Sequence, residues 1–199
     1  MAFRRLLTVV TLALLWLSVG PLHGAEFRAG VLQPPRKAPD FTLKASNGAE
    51  FRLSRYQGKV VLMGFGYTYC PDVCPTTLAD LALVRKKLGA DAERVQVIYV
   101  TVDPERDTVE RLRAYMNAFD KTFLGLTGTP EQLTGVRKGY GVSTRKTVVD
   151  KKSGAYLVHH SASIHFIDGA GYLRIMAPFG TSVEDMAHDV KLLLTERQR

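Results

Sequence analysis

Two unbroken apolar runs mark the middle of the chain. Residues 60–66 read VVLMGFG and residues 95–102 read VQVIYVTV. Neither alternates with polar residues, so each predicts a strand buried on both faces. Elsewhere the apolar positions fall at helical spacing. Leu78, Leu81, Ala82, Val84 and Leu88 predict a helix over 76–88. Val109, Leu112, Tyr115, Met116 and Phe119 predict a second, with Asp107 as its N-cap. Thr129-Pro130-Glu131-Gln132 supplies the cap, first-turn proline and capping-box glutamine of a third, ending near Gly139 or Gly141. Val183, Met186, Val190, Leu193 and Leu194 define a last helix over 182–196.

Shorter alternating segments predict hairpins. DFTLKASNGAEFRL turns at Asn47-Gly48, and SASIHFIDGAGYLRIM is two strands joined across 168–171. Residues 25–35 form an extended, proline-bearing lead-in. Strands alternating with helices, then a closing hairpin and helix, predict an α/β sheet layered by helices, one domain over 36–199.

The first residues follow another rule. Arg4 and Arg5 precede an apolar run over 6–19 and then Gly20-Pro21, the layout of a secretory signal over 1–24. That run of fourteen residues is shorter than the roughly 20 a spanning helix needs. A cleaved signal peptide and a short N-terminal anchor are the two alternatives, and both imply export. With 46% hydrophobic and 23% charged residues, disorder is excluded. The formal charge is +8; without Arg4 and Arg5, 25 basic against 19 acidic residues leave +6. Such a surplus suits anionic membrane surfaces or acidic partners. No basic run is interleaved with aromatics, so no nucleic-acid partner is expected.

The chemistry concentrates in FGYTYCPDVCPTT, which holds both cysteines, Cys70 and Cys74. They follow the first buried strand at its C-terminal end, the edge where open α/β sheets build sites. Three readings compete. A disulfide across so short a loop removes little entropy from the unfolded chain. A redox pair gains from a helix N-terminus, which favours thiolates, but three residues intervene instead of the two in Cys-x-x-Cys. A metal site needs further donors, and histidine beside two thiolates suits copper, whereas structural zinc wants four protein ligands. Three of the five histidines, His159, His160 and His165, cluster in HHSASIH. In an extended chain His160 shares a face with Ile164 and Phe166, and His159 with His165. Alternation does not say which set meets the cysteines. Asp72, between the cysteines, and Asp103, ending the second buried strand, are candidate supporting groups on the same edge.

The segments GYTYCPDVCPTTLADL, VTVDPERDTVERLRAYMNAF, GLTG and HHSASIHFIDGAG together resemble the Sco/SenC family, over roughly residues 36–194. That resemblance implies a thioredoxin-like fold with a central mixed sheet flanked by helices. It implies an exported protein, periplasmic or on the outer face of the inner membrane, with peripheral or anchored membrane association. Carried over residue by residue, the family's thiolate ligands fall on Cys70 and Cys74. Its histidine ligand, followed by serine, falls on His160 before Ser161. Where the family usually has an acidic residue before that histidine stands His159, a candidate spare ligand; where an aromatic commonly follows stands His165.

The implied function is a copper chaperone that holds one copper ion, Cu(I) or Cu(II), through Cys70, Cys74 and His160. Its implied partners are the copper-site subunit of cytochrome c oxidase and a further copper chaperone; no catalytic residue is assigned. The same cysteines can form a redox disulfide. A thiol–disulfide reductase that keeps a partner's copper-ligand cysteines reduced is therefore the alternative, and it has no need of His160. A peroxiredoxin-like peroxidase would require Thr at 67 and Pro at 63, where this chain has Tyr67 and Met63.

Overall fold

The structure is a computed structural model that describes residues 26–196. The predicted signal or anchor over 1–24 lies outside the described residues. Among the described residues no helix is long and apolar enough to cross a membrane.

The elements run β1 (Val31–Lys37), β2 (Thr42–Ala45), β3 (Glu50–Arg52), β4 (Val60–Gly66), α1 (Val73–Leu88), β5 (Val95–Thr101), α2 (Val109–Asn117), β6 (Leu124–Thr127), α3 (Pro130–Tyr140), β7 (Thr144–Asp150), β8 (Ala155–His160), β9 (Ile164–Ile167), β10 (Tyr172–Ala177) and α4 (Val183–Thr195). Eight strands form one mixed sheet in the order β1-β10-β9-β4-β5-β6-β2-β3. The centre is parallel, β4 with β5 and β5 with β6, and the flanking strands are antiparallel. Parallel neighbours need crossovers, and α1 and α2 supply them. α1 packs against α4, and α2 lies over β6. This is the central mixed sheet flanked by helices that was expected.

The apolar runs behave as buried strands. All seven residues of β4 are buried, and Leu62, Met63, Ile98, Val100, Phe166 and Ile175 are at most 1% exposed. Burying a side chain of this size contributes roughly 1.5–3 kcal/mol, so the end of β4 is a firm place to mount a loop. Two glycines in β4 are required by packing. A methyl group at Gly64 would lie 2.8 Å from the Tyr99 ring, and one at Gly66 would overlap the Tyr99 hydroxyl.

Four details depart from the sequence pattern. α1 begins at Val73 and contains Pro75, which its first turn accepts because no intrahelical donor is needed there. The N-cap of α2 is Thr108, whose side chain accepts from the Arg111 amide; Asp107 is instead buried and turned inward. The end of the extended lead-in is a strand, β1, paired with β10 at the sheet edge where prolines are tolerated. HHSASIH is not one extended segment. His160 ends β8, whereas His165 lies in β9, so alternation across the two has no meaning.

β7 and β8 stand apart. They form a two-stranded sheet of their own, and every residue of β7 is exposed.

Candidate metal centre

The site begins where β4 ends. After Gly66 the chain enters a loop in which the Cys70 amide donates to the Tyr67 carbonyl at 3.3 Å. Cys70 is half-buried there, and Cys74, in the first turn of α1, is fully buried; both are free thiols.

A buried carboxylate holds the loop. Asp107, fully enclosed, accepts the Thr68 amide at 3.2 Å, the Thr68 hydroxyl at 2.6 Å and the Thr101 hydroxyl at 2.6 Å. Arg111 donates to the Thr68 hydroxyl at 2.7 Å. Burial pushes the Asp107 carboxyl up, and the hydroxyl and amide donors pull it back. The loop two residues before Cys70 is thus tied to the start of α2.

His160 arrives from the other side, at the end of β8. Its Nε2 lies 3.3 Å from the Cys74 Sγ, and its Nδ1 lies 3.0 Å from the Ser161 carbonyl. A carbonyl can only accept, so Nδ1 carries the proton and Nε2 turns a lone pair to the sulfurs. A histidine whose second nitrogen donates to a carbonyl is oriented as metal-binding imidazoles usually are. Burial lowers the His160 pKa; the Ser161 carbonyl opposes this and His159 adds to it.

Donor atoms of Cys70, Cys74 and His160 all lie within 4.8 Å of one another. Bonds of about 2.0–2.3 Å to one ion would need donors roughly 3.5–4 Å apart, so little movement is required. Burial pushes the Cys74 thiol up to about 12, while a hydrogen bond with the buried Tyr99 hydroxyl works against it. A soft ion that replaces the proton suits such a thiol better than free ionisation does. Two sulfurs and one imidazole favour copper over the hard oxygen-seeking cations.

The other expected groups surround the three donors at differing removes. Asp72 lines the open hollow beside Cys70 as the N-cap residue of α1, without a side-chain capping bond. Asp103 is buried and bonded to Arg106 and to the Tyr156 hydroxyl, with no hydrogen bond to either sulfur among the described residues. His159 is exposed and lines the hollow from its rim. His165 is buried against Phe65 and Tyr140, with its Nε2 on the Tyr140 carbonyl, and belongs to the core.

Sequence reasoning missed Tyr67, Tyr99, Arg106 and Tyr156 at this site. Tyr67 stacks edge-on to His160, ring centroids 6.1 Å apart, and accepts the Val158 amide. The tyrosines flanking the cysteine loop were visible as residues, but nothing in their spacing aims them at β8.

Residues 30–195 match a family model described as SCO1/SenC. The mouse mitochondrial protein SCO2 homologue is 34% identical over 154 residues, 76% of this chain and 60% of that protein. The structure of Bradyrhizobium japonicum ScoI with copper bound matches with a TM-score of 0.71 at 36% identity, covering 78% of this chain and 98% of that one. Yeast Sco1 with copper bound gives 0.74 at 28% identity, with coverages of 82% and 92%. The mixed sheet with its flanking helices is the thioredoxin-like architecture those structures share.

Proposed function

The chain belongs to the SCO1/SenC family, and from that premise we propose that it is an exported copper carrier. It takes one copper ion on Cys70, Cys74 and His160 and gives it to the copper site of cytochrome c oxidase. Residues 1–24 serve as its signal or anchor and place it in the periplasm or on the outer face of the inner membrane.

The carrying observation is the convergence of the three soft donors within 4.8 Å, with the imidazole proton already on the far nitrogen. The copper-bound structures of similar proteins support the choice of ion. The thiolates provide for Cu(I), and His160 makes Cu(II) admissible. Loading needs both cysteines reduced, so copper uptake is coupled to thiol redox state. The donor set is partly open at Cys70, which leaves an edge from which a partner's ligands can take the ion.

A thiol–disulfide reductase has no need of an imidazole beside its thiols, whereas here the His160 Nε2 lies 3.3 Å from the Cys74 Sγ. Copper titration of the reduced protein beside a Cys70→Ala, Cys74→Ala variant is the test. Binding of about one copper per chain, abolished in the variant, is expected. Absence of tight copper binding to the reduced protein would overturn the carrier and leave the reductase.

A further inference from the structure

His160 is carried by a hairpin that shares no backbone ladder with the main sheet. Something other than strand pairing must fix its distance to the cysteines. The edge of β8 away from β7 is gripped by side chains. Tyr67, three residues before Cys70, accepts the Val158 amide at 3.2 Å. Arg106 donates through Nη1 to the Tyr156 carbonyl at 3.2 Å. Its Nε pairs with Asp103, which also accepts the Tyr156 hydroxyl at 2.8 Å. The guanidinium lies 3.7 Å from the centre of the Tyr156 ring and 4.7 Å from that of Tyr69. One planar group therefore touches the loop before the cysteines, the strand that bears the histidine and the turn after β5. A planar, forked, permanently charged donor can do this at once; an ammonium cannot.

We propose that Arg106 is a positioning residue for the metal site. Anchored on Asp103, it docks the β7–β8 arm against the cysteine loop and so sets the separation between His160 and the two thiols. This rests on the copper reading of Cys70, Cys74 and His160. Arg106 touches none of the three donor atoms. Its hydrogen bonds to the arm, on the Tyr156 carbonyl and through Asp103 on the Tyr156 hydroxyl, act on the strand that bears His160, so its larger effect falls on the oxidation state that needs imidazole. Cu(II) depends on that nitrogen, whereas two thiolates can hold Cu(I) by themselves.

The test is a cycle of Arg106→Gln, His160→Ala and the double variant, in the reduced full chain under anaerobic conditions. It reads Cu(II) and Cu(I) affinity, the sulfur-to-Cu(II) absorption band and hydrogen exchange at the Val158 amide. Arg106→Gln should weaken Cu(II) binding about tenfold or more, as loss of a supporting group typically does. Cu(I) affinity should fall by a clearly smaller factor, the absorption band should shift, and Val158 exchange should quicken without metal. In the His160→Ala background the same substitution should cost no further Cu(II) affinity. Arg106→Lys keeps the charge beside Asp103 but not the fork, so it should recover only part of the loss; it also serves if the glutamine variant does not fold.

Equal weakening of Cu(II) in both backgrounds, equal loss of Cu(I) and Cu(II), or unaltered binding and exchange would each overturn the positioning role. A wild-type protein that binds no copper, or a His160→Ala variant that holds Cu(II) as tightly as wild type, would overturn the copper reading instead.

Discussion

The cysteines and the histidine they meet are held by opposite kinds of structure. Cys70 and Cys74 follow a fully buried central strand, and the loop between is tied by the enclosed Asp107 carboxylate. His160 ends an arm whose outer strand is exposed throughout and whose grip on the body is a few side chains. One half of the donor set thus shares the stability of the core. The other is held by fewer contacts, and local opening costs least where few apolar contacts are broken. For the proposed carrier this division would let the thiols keep the ion while the imidazole is added or withdrawn.

The sharpest way to break the comparison is to cut the tie on the core side. Asp107→Ala would leave the Thr68 amide and hydroxyl and the Thr101 hydroxyl without their acceptor in a closed pocket. A loss of about 3 kcal/mol or more in unfolding free energy is expected, read by urea denaturation, with Cu(I) and Cu(II) weakened together. A loss below about 1 kcal/mol would mean the loop is held by something else.

A smaller effect is expected where β4 meets β5. Gly66→Ala places a methyl group on the Tyr99 hydroxyl, and the ring, 1% exposed, has no room to retreat. Overpacking of this kind costs about 1–3 kcal/mol. Because the hydroxyl is the nearest clash, Tyr99→Phe in the same chain should restore part of the loss. If the second substitution merely adds its own cost, Gly66 is not there to admit that hydroxyl.

The same division explains what could be read from the sequence. β4 and β5 were legible because a strand buried on both faces leaves an unbroken apolar run. α3 was legible because Thr129 caps it as its type predicts, and α4 because its apolar positions recur at helical spacing. The arm was not. β7 carries Thr144, Arg145, Lys146 and Thr147, exposed and without alternation, so it left no pattern to find. β6, four residues long, was too short to register. Cys70 and Cys74 announced themselves by rarity and spacing. His160 was picked from its neighbours by family resemblance alone, since a break over 161–163 removes the continuity that alternation needs. Asp107 shows how a correct motif can mislead: an aspartate before a helix reads as a cap, but the cap is Thr108 and the carboxylate faces the core.

The two halves also hold protons oppositely, and this gives the finest test. Burial raises Cys74 from 9.0 to about 12, so the thiol stays protonated in the folded protein. Burial lowers His160 from 6.5, so the imidazole stays neutral. For Cys74 the unfolded chain ionises first as pH rises. Its contribution is therefore complete below pH 9 and is lost between 9 and about 12. For His160 the unfolded chain protonates first as pH falls, so stability is lost on going below 6.5. At pH 9 the cysteine effect is roughly half a kcal/mol or less and grows from there. Tyr99 and Tyr140, also raised by burial, add a decline of the same sign, so the reading must be a difference. Unfolding free energies of the metal-free reduced protein and of Cys74→Ala, followed from pH 8 to 10.5, should diverge, with wild type falling faster. Parallel curves would mean that Cys74 ionises as readily folded as unfolded, and that its burial does not hold the proton.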